Sequence, residues 1–96
     1  MYAVTFYDMD ADAGPALFER VREVYPRHRA YLDAFATGGE ILLIGPLGPT
    51  PAGGAMAIFR SREAAERFVS GDPFVLEGIA ERYRIVDWDP LVFAEA

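Results

Sequence analysis

The spacing of apolar residues changes along this chain, and the changes predict alternating strands and helices. Residues 2–7 are β-branched and aromatic and a polar stretch follows at 8–14, so a strand and then a loop are expected. From Pro15 to the glycine pair at 38–39, apolar residues recur at three- and four-residue steps, which predicts a helix. Its buried stripe comprises Leu17, Val21, Val24, His28, Tyr31, Leu32 and Phe35. Because Pro26 lies inside the stripe, we expect a kink or a break near residues 24–27.

The second half of the chain predicts two more strands, a second helix and a final strand. Residues 41–44 are apolar without alternation, which predicts a strand covered on both faces, and residues 55–60 predict its hairpin partner. Ser61 is a good cap for a helix that ends before Gly71. Asp72 and Pro73 predict a further cap and about one helical turn, and residues 80–88 predict the last strand.

The resulting order, βαββαβ, predicts an α+β fold of the ferredoxin-like type, with a four-stranded antiparallel sheet and both helices on one face. The 96 residues are expected to form a single domain, 1–96. The opposite face of the sheet would be bare, and the strands carry too many large apolar groups for one side of so small a sheet. These are Tyr2, Val4, Phe6, Met56, Ile58, Tyr83, Ile85, Val86 and Trp88. A second copy covering the bare face would remove the exposed patch, so we predict a homodimer.

Composition narrows the possible partners and the compartment. The net charge is −6 and all nine basic residues are arginines spread along the chain, which argues against nucleic-acid binding. No apolar run is long enough to span a bilayer, so no membrane partner is expected. The N-terminal residues lack the pattern of a signal peptide, and the chain has no cysteine. We therefore expect a cytoplasmic protein.

Two short patterns suggest ligand sites that the surrounding sequence does not support. Glycines at 45–48 and 53–54 could cradle a phosphate, but no Gly-Lys-Ser/Thr follows and the segment joins two strands, so we predict a hairpin loop. Part of a calcium-loop pattern is formed by Asp8, Asp10, Asp12 and Glu19. Its turn glycine is replaced by Ala13 and a strand precedes it, so acidic residues near a helix N-terminus are the better interpretation and no metal site is predicted.

His28 is the only histidine, and the chain has neither cysteine nor lysine. Proton chemistry near neutral pH would therefore fall to His28 and a carboxylate. The structural alternative is an imidazole on a core-facing helix that is satisfied by one partner. Asp72 before Pro73 is typical of a helix cap, although one carboxylate oxygen can cap while the other orients an imidazole.

A set of short motifs covers nearly the whole chain: Pro26-Arg27-His28, Tyr31-Leu32, Gly39, Leu43-Ile44-Gly45-Pro46, Ser61-x-Glu-Ala-Ala, Asp72-Pro73-Phe74 and Gly78. With these motifs the chain resembles the YCII-related (YciI-like) proteins of the dimeric α+β barrel superfamily. The resemblance implies a small homodimer with a His/Asp pair in a pocket, here His28 and Asp72. It also implies a possible reaction, because one branch of the family is associated with dehydrochlorination of hydroxylated aromatics.

One position departs from the family pattern, which usually has an arginine three residues before the histidine. This chain has Tyr25 there, and either Arg27 or Arg29 could supply the missing cation. Neighbouring helical positions differ in direction by about 100°, so such a replacement is not equivalent.

Our leading hypothesis is a small-molecule enzyme without a cofactor that transfers a proton, of the isomerase or lyase/dehalogenase type, on a hydroxylated aromatic or similar planar substrate. No flavin, nicotinamide or haem motif is visible, and pyridoxal chemistry lacks its lysine. His28 would be the general acid or base and Asp72 would orient it. The expected substrate-binding residues are Tyr25, Arg27, Gly45, Pro46, Phe74 and Trp88. The alternatives are a dimeric ligand-binding or accessory module without turnover, favoured by Tyr25, and a purely structural dimer.

Overall fold

The computed structural model describes residues 1–94, in which four strands are connected by helices and loops. The strands are β1 (Tyr2–Met9), β2 (Ile41–Pro46), β3 (Ala55–Phe59) and β4 (Ala80–Trp88). The helices are α1 (Pro15–Ala36), α2 (Arg62–Gly71) and the single turn α3 (Pro73–Leu76). Two short 3₁₀ turns lie at Ala11–Ala13 and Pro51–Gly53.

The sheet is antiparallel with the strand order β2-β3-β1-β4, so β1 and β3 are its central strands. Val4 of β1 lies opposite Ile58 of β3 on one side and opposite Val86 of β4 on the other. Together with the two main helices on one face, this order confirms the predicted ferredoxin-like α+β fold.

The core lies between that face of the sheet and the helices. Phe59 of β3 and Phe68 of α2 are fully buried, with ring centroids 5.3 Å apart. Phe35 of α1 meets both rings edge-on, at 87° and 84°. Edge-to-face contacts of this kind are favourable aromatic geometry, so these rings fix the C-terminal half of α1 against the sheet.

Of the kink or break expected near residues 24–27, the break was wrong, because α1 continues through Pro26. Pro26 is exposed, whereas Val24 and His28 on either side of it are buried. A proline removes one backbone hydrogen bond, but on the exposed side of a helix water can bind the carbonyl that is left free. Packing of the buried residues on both sides then maintains the helix.

Strand β2 differs from the prediction that both of its faces are covered. It lies at an edge of the sheet, and Leu43 is 65% exposed. An irregularity in the pairing between Ile41 and Leu43 leaves Ile41 and Ile44 packed against the core while Leu43 lies on the other face, opposite Ile58. A continuous apolar run therefore marked an edge strand that has no second layer within one chain.

The face of the sheet that points away from the helices, here called the open sheet face, is largely apolar. By strand register it carries Tyr2, Val4, Phe6, Leu43, Met56, Ile58, Val86 and Trp88. Tyr83 and Ile85 instead lie on the helix side, opposite Tyr7 and Thr5. Val86 is 39% exposed and Trp88 42% exposed. Among the helices of residues 1–94, none is both long enough and apolar enough to cross a bilayer.

Candidate active site

A cavity of about 560 Å³ lies between α1, the hairpin formed by β2 and β3, and α3. Five of the residues predicted for a site line it: Tyr25, His28, Gly45, Pro46 and Phe74. The hairpin loop adds Gly48, Pro49, Thr50 and Pro51, and β1 adds Tyr7 and Met9. Sequence reasoning did not assign this loop or the end of β1 to a site.

Asp72 lies behind His28 and is fully buried where α2 ends and α3 begins. Its Oδ1 accepts a hydrogen bond from the backbone N–H of Phe74 at 3.0 Å. This contact confirms the predicted cap on α3, and it also fixes where the carboxylate points. The buried charge is then available to side chains on the cavity side.

His28 joins that carboxylate through Nδ1, which is 2.7 Å from Oδ1 of Asp72. An ionised carboxylate can only accept, so we assign the Nδ1 proton to His28 as the donor. Nε2 makes no hydrogen bond to residues 1–94 and is not a fully buried atom. Because His28 lines the cavity, this free nitrogen is the one available to a ligand.

Aromatic rings hold the imidazole in its orientation. The ring of Phe74 is stacked on the ring of His28, with centroids 3.9 Å apart and planes at 7°. Tyr25 lies on α1 one turn before His28, with its ring centroid 6.0 Å from that of the imidazole. The same short segment, 72–74, thus supplies both a hydrogen bond and a stacking surface to His28.

Tyr7 is a third partner of this site, and sequence reasoning missed it. Its hydroxyl donates to Oδ2 of Asp72 at 2.7 Å. Burial, and then the charge of Asp72, raises the pKa of Tyr7 far above its usual range, so the phenol keeps its proton and remains a donor. The signal that could have found it is the alternation along β1, where Ala3, Thr5 and Tyr7 share the buried face.

The remaining predicted binding residues lie elsewhere. Arg27 does not line the cavity, and its Nη1 lies 3.6 Å from a carboxylate oxygen of Glu77. Trp88 is opposite Tyr2 on the open sheet face and does not line the cavity either. The arginine that does line it is Arg29, one helical turn after Tyr25.

The arrangement can take up or release a proton at one atom. His28 presents Nε2 to the cavity, and Asp72 holds the ring through Nδ1 and lies next to any positive charge that the ring acquires. Within residues 1–94, no three His, Cys, Asp or Glu side chains gather into a potential metal-binding cluster.

Comparisons with known proteins agree with this fold. The model of the YCII-related domain family matches residues 1–89. A solved structure of 5-chloro-2-hydroxyhydroquinone dehydrochlorinase (TftG) from Burkholderia phenoliruptrix AC1100, in complex with 2,5-dihydroxybenzoquinone, is similar with a TM-score of 0.70 and 21% sequence identity. That alignment covers 93% of this chain and 94% of the other. A structural-genomics target from Agrobacterium tumefaciens aligns with a TM-score of 0.42 and 15% identity, over 97% and 95% of the two chains. No curated protein matches the chain significantly.

Proposed function

The chain belongs to the YCII-related domain family, and from that premise we propose that it is a small-molecule enzyme that transfers a proton without a cofactor, of the isomerase or lyase/dehalogenase type. One observation carries the proposal. The only imidazole of the chain is hydrogen-bonded to a buried carboxylate at 2.7 Å while its second nitrogen remains free at a cavity. This combination suits general acid or base catalysis better than it suits packing alone.

In a lyase reaction Nε2 of His28 removes a proton from the substrate. The electron pair of the broken bond forms the new double bond, and the leaving group departs with its own bonding pair. For loss of hydrogen chloride, the proton is then on His28 and chloride is free. In an isomerase reaction His28 instead returns the proton at a different atom of the substrate.

Asp72 and Tyr7 are positioning residues in this mechanism. The hydrogen bond from Nδ1 to Asp72 keeps the lone pair of the neutral ring on Nε2, and the carboxylate stabilises the imidazolium that forms. Tyr7 donates to the other carboxylate oxygen, and the Phe74 N–H shares Oδ1. With donors on both oxygens, the carboxylate is held as an acceptor in one orientation.

We propose a hydroxylated aromatic or a similar planar compound as substrate. Its ring would lie among the aromatic side chains of Tyr25, His28 and Phe74, which line the cavity together. The structurally similar dehydrochlorinase is recorded with a compound of this shape. A planar ligand stacked on these rings would bring a polar substituent within reach of Nε2.

The test uses 5-chloro-2-hydroxyhydroquinone and measures chloride release with the purified protein. We expect release above the rate in buffer, and a loss of roughly 10²-fold or more in His28→Gln, because general acid–base catalysis contributes about that much. Circular dichroism must show that His28→Gln is folded. Equal rates for the folded variant and the wild-type protein would reject a catalytic role for His28.

The alternative function is a non-catalytic module that binds a small ligand in the same cavity. Tyr25 favours it, because the family resemblance places an arginine at that position and this chain has a phenol. Such a module would bind the hydroquinone without releasing chloride, and its affinity would depend little on the nucleophilic or basic character of His28.

We also propose that the protein is a homodimer with two open sheet faces packed together. The support is the uncovered apolar surface, on which Leu43, Val86 and Trp88 are each more than a third exposed. Apolar area of this kind is unfavourable in water, and an identical face is self-complementary under two-fold symmetry.

A further inference from the structure

The cavity has a charge bias that the proton transfer does not explain. The chain carries a net charge of −6, yet within residues 1–94 no Asp or Glu side chain lines the cavity. The ionisable side chains that do line it are Tyr7, Tyr25, His28 and Arg29. Asp72 does not line the cavity, because it is fully buried, and its oxygens already accept three hydrogen bonds, from Tyr7, His28 and the Phe74 N–H.

Arg29 is the permanent cation of this lining. The neighbouring Tyr25 hydroxyl, and then the Asp33 carboxylate, raise the pKa of its guanidinium, and an arginine is charged at every working pH. Its Nε donates to Oδ1 of Asp33 at 2.9 Å. A guanidinium has five N–H donors, so the hydrogen bond to Asp33 leaves donors free for a ligand.

The pairing with Asp33 does not commit Arg29 to a structural role. Both side chains are well exposed, 58% for Arg29 and 62% for Asp33, and exposed ion pairs at this helical spacing are weak. A ligand anion that reaches the guanidinium from the cavity can therefore compete with Asp33. The rest of the lining is largely apolar, which suits the uncharged body of such a ligand.

We propose that the cavity selects small organic monoanions, with Arg29 binding the anionic oxygen and the apolar body lying toward His28 and Phe74. The inference rests on the proposed function for the position of the site and narrows its substrate class. The net charge of −6 opposes the approach of an anion, but at physiological salt charges more than about 8 Å away are largely screened. At contact distance the nearby guanidinium decides the preference.

The experiment compares benzoate with benzamide, which share a shape and differ in charge. Affinities are measured at an ionic strength of about 0.15 M, where the distant charges are screened, from the NMR shifts of the His28 imidazole and of backbone amides. We expect benzoate to bind the wild-type protein up to about fivefold more tightly than benzamide, as for an exposed ion pair. The preference should disappear in Arg29→Gln and increase in Asp33→Asn, which removes the competing carboxylate.

Arg22→Gln is the matched control, because Arg22 is an exposed, ion-paired arginine on the same helix that does not line the cavity. It changes the net charge equally and should retain the preference. Loss of the preference in Arg22→Gln as in Arg29→Gln would show an effect of overall charge and overturn the proposal. Its loss in Arg27→Gln but not in Arg29→Gln would also overturn it, by placing the anion at Arg27.

Equal binding of the two probes to the wild-type protein, or binding of neither at millimolar concentration, would likewise reject the monoanion class. Neither probe has to react, so these results do not depend on turnover. His28→Gln separates the two proposals further. If the variant releases no chloride but still prefers benzoate, Arg29 binds the anion and His28 transfers the proton. If the variant loses the preference, the anion binds at the imidazole and not at Arg29.

Discussion

The candidate site depends on Asp72, because its carboxylate accepts hydrogen bonds from Tyr7, His28 and the Phe74 N–H at once. His28 and Asp72 could be proposed as site residues from the sequence, since one is the only histidine and the other precedes a proline. Tyr7 could not be placed with them, because its contact with Asp72 spans 65 positions of the chain and depends on how β1 packs beside α2 and α3. The sequence offered both Arg27 and Arg29 as the cation of the site, and rotation about the helix decides that Arg29 lines the cavity.

At this scale we expect Asp72→Ala to change the tautomer of His28. Without the carboxylate Nδ1 loses its acceptor, so the proton of the neutral ring is free to move to Nε2, which removes the base from the cavity. The ¹⁵N shifts of the single imidazole report the tautomer directly, without assignment. Unchanged ¹⁵N shifts would show that Asp72 does not set the ring's proton position.

Tyr7 gives an expectation for alkaline stability. Its pKa is raised in the folded chain by burial and by Asp72, so above its ordinary value of 10.0 the unfolded chain loses a proton that the folded chain keeps. The contribution of Tyr7 to the free energy of unfolding is complete below that pH. Above it, the contribution falls by up to about 1.4 kcal/mol per pH unit. Tyr7→Phe should therefore be less stable than the wild-type protein at pH 7, and its free energy of unfolding should fall less between pH 9 and 11.

Tyr83→Phe is the control, since it removes a phenol that is 47% exposed on the neighbouring strand. Urea unfolding at a series of pH values measures both variants. The assignment of the alkaline loss to Tyr7 would fail if Tyr7→Phe and Tyr83→Phe followed the same pH curve.

Among the elements, α1 shows why local signals mislead. Pro26 is a strong helix breaker in isolation, but Val24 and His28 pack into the molecule on either side of it and the helix continues. The boundaries of the other elements are set by caps and turns formed by residues close together in sequence. Ser61 is an example, because its hydroxyl accepts a hydrogen bond from the Ala64 N–H. Elements specified locally could be predicted, and those decided by packing could not.

We expect Pro26→Ala to stabilise the protein. The substitution restores a backbone donor within α1 and removes a residue that costs up to about 3 kcal/mol in a helix interior, at an exposed position where no packing is lost. Thermal unfolding measures the change. A lower melting temperature for Pro26→Ala would mean that the proline holds α1 in a shape that the cavity or the core requires.

For the whole molecule, the order of elements was enough to predict the sheet, because βαββαβ allows few compact arrangements with helices on one face. What covers the open sheet face could not be settled in the same way, since that depends on a surface outside the chain. Leu43 illustrates the point. Its run of apolar neighbours signals two-sided burial, yet one chain supplies only one side.

We expect light scattering to give a mass of twice the 10.6 kDa of one chain, and Val86→Glu to halve it. Val86 lies on the open sheet face opposite Val4, where a buried carboxylate would oppose association. Phe18→Glu is the control, because Phe18 is 50% exposed but lies on α1. A wild-type monomer at micromolar concentration would exclude the dimer, and equal dissociation of both variants would exclude this face.

Asp72 both orients His28 and caps a helix, and this has a consequence for how the site would be inherited. The carboxylate that orients His28 also caps α3, so natural selection for a foldable chain retains it whether or not any reaction survives. A descendant that lost its substrate could therefore keep the aspartate for as long as it kept its shape. Relatives in which the imidazole has been replaced while the aspartate remains would mark the lineages where turnover was abandoned, and the aspartate alone would say nothing about it.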